Sequence, residues 1–180
     1  GSNTNWDFSV WRTWNGSVDS DPAQTNNWLP PGLLDATVGI IINGSYANEL
    51  NVTAPISVRA LSVGAAAPST LTVDAPLTVA EDLNIFGNGT LAANDPITVS
   101  NNVTISSGGV LTHDNNTTTD ANGIRLTIGG DLQVDVGGSI NVDILGYGDE
   151  KGPGAGDVHA QGGSHGGRGG LSDYSPYPHS

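Results

Sequence analysis

The chain has 180 residues and no cysteine, and only 13% of its residues are charged; glycine, with 26 residues, is abundant. This length fits one domain, and the composition favours strands and tight turns over helices. Because 18 acidic residues face only 5 basic ones, nucleic acid is not an expected partner, and no apolar run reaches the ~18 residues that membrane insertion requires.

The N-terminal segment, residues 1–36, differs in composition from the rest of the chain. It contains all four tryptophans, Trp6, Trp11, Trp14 and Trp28. A solenoid exposes its core and free strand edges at its first coil, so a bulky apolar cap is expected there. The alternative is an aromatic platform on which sugar rings stack.

Residues 14–32 carry a tryptophan, a polar loop, Asn27-Trp28 and Pro31-Gly32 in that order. This arrangement resembles the opening of the N-terminal parallel β-helix region in large bacterial secreted or cell-surface proteins of the autotransporter and adhesin type. The resemblance implies an exported parallel β-helix. Gly1-Ser2 looks like the remnant of an expression tag, so the chain is expected to be a piece of a larger protein.

One sequence motif then occurs three times, each time after a proline. Pro55, Pro76 and Pro96 are followed by Ile-Ser-Val, Leu-Thr-Val and Ile-Thr-Val, at steps of 21 and 20 residues. A period of this length is typical of a solenoid. Two further alternating triplets in each copy predict three short strands per coil. Val38–Ile42 and Leu50–Val52 are the expected first strands.

Alternation also predicts which side chains face outward. Ser57, Thr78 and Thr98 are expected to form one ladder, and Ser62, Asn84 and Thr104 another. Such rows of hydroxyl and amide groups could contact ice or sugars, but a solvated face is the simpler expectation.

The fourth copy breaks the period, because Ile124 follows Ile97 by 27 residues. Six or seven extra residues are therefore predicted within the polar loop at 112–122, which includes His113 and Asp114. An insertion of this kind is a natural place for a binding function. The last predicted strand covers residues 140–144.

After residue 146 the chain becomes glycine-rich. The string Gly-Gly-Ser-His-Gly-Gly-Arg-Gly-Gly at 162–170 resembles a segment of large secreted β-helix proteins, and this resemblance implies an ordered loop or an extra coil. Asp157, His159, His165 and Arg168 lie here. They are candidates for binding a glycan or a carboxylate, and the first three are candidates for a metal. The other reading is that His165 and Arg168 hydrogen-bond the loop itself.

No cofactor is firmly indicated. Calcium is the one that the scattered carboxylates allow, although they match no calcium-loop pattern. These carboxylates are Asp131, Asp135, Asp143, Asp149 and Glu150. No catalytic residues are assigned, since Asp74, Asp82 and Asp95 occupy different positions in their repeats and predict no carboxylate pair.

The sequence therefore predicts an all-β protein, a right-handed parallel β-helix with three-strand coils of about 20–21 residues and a tryptophan-rich cap. The expected divisions are a cap at 1–36, coils at 37–146 and a glycine-rich extension at 147–180. The expected function is that of a structural or adhesive module of an extracellular or cell-surface bacterial protein. Its expected partners are a glycan, a neighbouring protein or a second copy joined end to end. The alternative is part of a carbohydrate-active enzyme that draws its catalytic groups from 112–122 and 157–168.

Overall fold

The structure, a computed structural model, describes residues 10–147 and 151–152. The described chain is nearly all β, with one short 3-10 helix at Thr25–Asn27. Its strands form three sheets. The first sheet contains Val10–Trp14 (β1), Trp28–Leu29 (β2), Val38–Ile42 (β3), Ala60–Val63 (β6), Leu83–Ile85 (β9), Val103–Ile105 (β12) and Leu132–Val134 (β15). The second contains Leu50–Val52 (β4), Ser69–Val73 (β7), Gly89–Ala93 (β10), Val110–Thr112 (β13) and Ser139–Ile140 (β16). The third contains Ile56–Val58 (β5), Leu77–Val79 (β8), Ile97–Val99 (β11) and Leu126–Ile128 (β14).

From β3 onward the chain visits the three sheets in turn, and each strand pairs in parallel with its counterpart in the next coil. This order is a parallel β-helix with three strands per coil, as predicted. Pro55, Pro76 and Pro96 each directly precede a strand of the third sheet. Proline has no N–H to donate, and it is tolerated at that position because the ladder of backbone hydrogen bonds begins after it.

The core is a stack of aliphatic side chains. In the first sheet Ile40, Leu61, Leu83 and Val103 lie in register from coil to coil, and all four are buried. Matching columns fill the other two sheets. Because β-strand side chains alternate between faces, one apolar residue in every two suffices to fill this narrow interior.

The two predicted outward ladders are confirmed. Ser57 pairs with Thr78, which pairs with Thr98, and Thr127 extends this row into the next coil. In the first sheet Ser62, Asn84 and Thr104 are likewise in register. All four hydroxyl residues of the row in the third sheet are exposed.

Glycine shapes the corner between the first and second sheets. The amide of Gly109 donates to Ser106 O at 2.8 Å, which closes a turn in which Gly108 has φ +83°. A left-handed residue at this third position requires glycine. Gly109 is needed for a different reason, since a Cβ there would lie 2.6 Å from the carbonyl oxygen of Ile85 in the coil above.

The predicted register of the fourth coil is wrong by two residues. Ile97 pairs with Leu126, 29 residues later, and not with Ile124, so this step is nine residues longer than the usual step of 20. Ile124 and Leu126 have the same parity, and hydrophobic alternation alone cannot choose between them. The carbonyl of Arg125 takes the place of the proline carbonyls, accepting from the amide of Ile97 at 2.9 Å.

The predicted strand at 140–144 is also wrong, because the last strand among the described residues covers only Ser139–Ile140. Residues 143–144 form a turn in which Ile144 has φ +61°, a conformation that ends any strand. The inward residues of the last coil are only half covered, with Leu132 at 46% and Val134 at 43% exposure.

The N-terminal segment joins the first sheet earlier than predicted. Strand β1 pairs in parallel with β3, and β2 pairs with β1 in the antiparallel direction. Trp14 and Trp28 are fully buried in the core with their rings 5.0 Å apart. Asn27 is also buried. Its Oδ1 accepts hydrogen bonds from the backbone amides of Val18 and Asp19, and its Nδ2 donates to the carbonyl and carboxylate oxygens of Asp19 and to the carbonyl oxygen of Asp21. The capping role of this segment remains a prediction.

The chain divides into two compact units. Of the described residues, 10–114 and 122–142 form the first unit, and 115–121, 143–147 and 151–152 belong to the second. In the second unit Asn116 is buried; its amide donates to Leu145 O at 3.0 Å and its Oδ1 accepts from Ala121.

Candidate functional site

His113 and Asp114 are the two sequence-predicted binding residues within the described chain, and both follow β13 at the corner that leads out of the second sheet. The carboxylate of Asp114 accepts from Asn94 Nδ2 at 2.8 Å, and its amide donates to Asn94 Oδ1 at 2.7 Å. His113 Nδ1 lies 2.7 Å from the carbonyl oxygen of Asp114. A carbonyl oxygen only accepts, so Nδ1 carries the proton in this contact.

The side-chain amide of Asn94 also binds a second carboxylate. Asn94 Nδ2 donates to Asp74 Oδ1 at 2.6 Å, and Asn51 Nδ2 donates to the other oxygen of Asp74 at 2.9 Å. Asn94 is only 5% exposed, and its side-chain nitrogen donates to carboxylate oxygens of two residues that are themselves exposed. We name Asp74, Asn94 and Asp114 the Asn94 ladder. Its members bind one another, which identifies Asp114 as a structural residue as well as a candidate binding residue.

A related arrangement of two aspartates and an asparagine lies at the corner that leads into the first sheet. Asn102 donates through its amide and its Nδ2 to Asp82 Oδ1, and its own Oδ1 accepts from the amide of Asp131 at 3.0 Å. The carboxylates of Asp74, Asp82 and Asp114 thus bind donors in a neighbouring coil. Within residues 10–147 and 151–152, no three acidic or histidine side chains meet in a way that could hold a metal.

The other candidates, Asp157, His159, His165 and Arg168, lie outside the described residues, as do Trp6, Asp149 and Glu150. The predicted ligand set for a metal, Asp157, His159 and His165, therefore stays a prediction.

The outer face of the first sheet carries Trp11, one of the four tryptophans for which the sequence left a cap and a sugar-stacking platform open. Trp11 projects outward from β1 and is 41% exposed. The guanidinium carbon of Arg59 lies 4.9 Å from its ring centroid, within cation–π distance. Arg59 also forms an ion pair with Glu81, Nη1 to Oε2, at 2.8 Å. We name Trp11, Arg59 and Glu81 the Trp11 surface.

A short turn before β3 helps to position Arg59. The Nε of Arg59 donates to the carbonyl oxygen of Thr37 at 3.2 Å. The hydroxyl and the amide of Thr37 both donate to Asp35 Oδ1, at 2.6 and 2.7 Å. The hydroxyl bond, then the amide bond and the nearby charge of Arg12 hold the pKa of Asp35 below its ordinary value.

Two sequence signals for the Trp11 surface were available. Gly39 interrupts the row of outward side chains in Val38–Ile42, and it pairs with Trp11. Arg59 and Glu81 occupy equivalent places in successive coils, just after the third sheet. These signals can be used only once β1 is known to pair with β3, and the sequence treated the four tryptophans together, as a cap or alternatively as a platform for sugars.

The helix within the described residues is too short to cross a membrane. No protein-family model, curated protein or solved structure matches the chain.

Proposed function

We propose that this chain is a structural and adhesive β-solenoid module of a bacterial extracellular or cell-surface protein, and that it binds glycan through the loops attached to its coils. The observation that carries the proposal is that one face of the strands is apolar and buried, whereas the other is polar and exposed. Val58, Val79 and Val99 fill the core beneath a row of exposed hydroxyl residues in register. A continuous core gives a rigid support, and its outer rows are uncharged and offer hydrogen bonds.

The polar corners support the same proposal. Asp74, Asn94 and Asp114 fix the backbone where the loop at 112–122 leaves the second sheet. A loop held at its base can present side chains for recognition without disturbing the core. His113 lies at this base, and His165 and Arg168 would add further donors from the glycine-rich extension.

The test is retention of the whole chain on insoluble cellulose, chitin and peptidoglycan. We expect retention on at least one of them, and we expect His113→Ala, His165→Ala or Arg168→Ala to reduce it. Asn88→Ala, in the exposed turn that follows β9, serves as the matched control and should leave retention unchanged. A wild-type chain that is retained on none of the three would contradict the adhesive part of the proposal.

We also propose that the last coil joins a second copy end to end. Its inward residues Leu132, Val134 and Ile140 remain 43–46% exposed, whereas Val103, Ile105 and Leu111, their partners in the preceding coil, are fully buried. Within residues 10–147 and 151–152 no strand pairs with the outer edges of β15 and β16, and exposed apolar side chains beside such edges favour pairing. Sedimentation at increasing concentration should show dimers that Leu132→Asp abolishes, and a wild-type monomer at all concentrations would contradict the proposal.

A further inference from the structure

We propose that the Trp11 surface is a stacking subsite for one neutral pyranose ring of a glycan. The inference rests on the glycan-binding function proposed above and places a contact on the outer face of the first sheet, away from the loops. It follows from the orientation of the Trp11 ring, from the way Arg59 is held, and from the charge around both residues.

The ring of Trp11 lies flat on the sheet because Gly39 leaves room for it. The two residues are directly paired between β1 and β3. A Cβ on Gly39 would lie 2.6–2.8 Å from three atoms of the six-membered ring of Trp11. One face of the indole is therefore seated on backbone, and any larger residue at position 39 would lift it away.

Arg59 fixes the ring in place. Its guanidinium is held by the carboxylate of Glu81 and by the carbonyl of Thr37, so it is an ordered partner for the indole. The side chain of Arg59 is only 16% exposed, whereas Trp11 is 41% exposed. Of the two stacked groups the guanidinium is the covered one, and the indole is the one that faces solvent. An exposed aromatic ring that is already immobilised loses little entropy when it binds a ligand.

The ligand class follows from chemistry and charge. A pyranose ring presents a face of C–H groups that packs on an aromatic ring, and its hydroxyls need hydrogen-bond partners at the rim. Glu81, 47% exposed, supplies carboxylate oxygens beside the indole. Arg59 neutralises this carboxylate, so the surface has no local excess of charge, and the net charge of −13 on the chain disfavours uronic acids and sulfated sugars. A neutral sugar such as glucose or N-acetylglucosamine fits, and an acidic one does not.

The test measures binding of cellohexaose and chitohexaose, with oligogalacturonate as the acidic comparison, by calorimetry and by tryptophan fluorescence. Trp14 and Trp28 are fully buried, and Trp6 is replaced by phenylalanine in every protein compared, so a fluorescence change on binding should come from Trp11. We expect one of the neutral hexasaccharides to bind, Trp11→Ala to weaken it about tenfold, and Gly39→Val to weaken it similarly by lifting the ring. Thr98→Ala, on the outer face of the third sheet, should change the affinity less than twofold.

The outcomes separate the two proposals. If the wild-type chain binds a neutral hexasaccharide with the same affinity as Trp11→Ala, the subsite is wrong and the adhesive function stands. If no glycan binds and none of the insoluble polysaccharides retains the chain, the adhesive function itself is wrong. Preference for oligogalacturonate would overturn the assignment of a neutral ligand. Because Trp11 faces outward, an unchanged melting temperature in Trp11→Ala will show that lost binding does not come from unfolding.

Discussion

Single side chains hold neighbouring coils together at the corners, and Asn94 is the clearest case. Its amide nitrogen binds Asp74 in one coil and Asp114 in the next, and its oxygen binds the amide of Asp114. The side-chain amide of Asn94 is buried and supplies two donors to the carboxylates of Asp74 and Asp114, whose residues are exposed.

Replacing Asn94 by aspartate tests this role. Asn94→Asp removes both donors and stacks three carboxylates, so we expect a loss of about 2–3 kcal/mol in the free energy of unfolding. Chemical denaturation measures the effect. Asn88→Asp adds the same charge in an exposed turn and should cost less than ~0.5 kcal/mol. Equal losses in the two variants would mean that the Asn94 ladder contributes nothing beyond its charge.

The Asp35–Thr37 contact predicts a pH effect of known sign. The pKa of Asp35 is lowered in the folded chain, chiefly by the hydroxyl of Thr37. The contribution to stability is therefore present above the ordinary pKa of aspartate and is lost as the pH falls through the lowered value. Thr37→Val should raise the pKa of Asp35 in an NMR titration, and Thr98→Val should not. An unmoved titration in Thr37→Val would show that the hydroxyl is not the cause.

At the scale of elements, the turns between the first and second sheets depend on close approach of the backbone between coils. Gly89, Gly109 and Gly138 each end such a turn. In each of them a Cβ would lie 2.5–2.6 Å from a carbonyl oxygen of the coil above. The spacing of these glycines therefore indicates the register between coils more reliably than the alternation of apolar residues does.

Two glycine variants test this interpretation. Gly109→Ala forces its methyl group against the carbonyl of Ile85 and should lower the unfolding free energy by about 1–3 kcal/mol. At Gly123 nothing lies within 4 Å of the Cβ position, so Gly123→Ala should be neutral or slightly stabilising. Thermal unfolding compares the two. Comparable melting temperatures would contradict the tight packing of coils at this corner.

At the scale of the whole molecule, burial changes along the stack of coils. Leu83 and Leu132 belong to the same inward column of the first sheet. Leu83 is fully buried in the third coil, and Leu132 is 46% exposed in the last. The hydrophobic contribution of the column should therefore fall toward its end.

Truncation of these two leucines tests that gradient. Leu83→Ala leaves a cavity and should cost about 2–5 kcal/mol in denaturant unfolding. Leu132→Ala should cost clearly less, because much of its side chain already contacts solvent. If Leu132→Ala proves as costly as Leu83→Ala, the last coil is covered in solution, for example by a second copy.

The strands and outward ladders of the first coils could be predicted because their spacing of about 20 residues leaves one parity and one register. The fourth coil could not, since Ile124 and Leu126 both satisfy the alternation. What selects Leu126 is the pair of glycines after the strand, which lie against Ser100 and Asn101 of the coil above. The Trp11 surface depends on pairing between β1 and β3, a contact between distant residues that no local pattern encodes.

The most direct test of the stacked coils is disulfide formation, since the chain has no cysteine of its own. Thr98 and Thr127 are paired in neighbouring parallel strands, where the Cα separation of about 4.8 Å permits a disulfide. Thr98 and Arg125 are offset by two residues, about 6.6 Å along the strand, which places them too far apart. The account predicts that Thr98→Cys with Thr127→Cys forms an intramolecular disulfide under mild oxidation, measured by mass spectrometry, and that Thr98→Cys with Arg125→Cys does not. Cross-linking of the second pair and not the first would contradict the register, and cross-linking of neither would contradict the stacking of the coils.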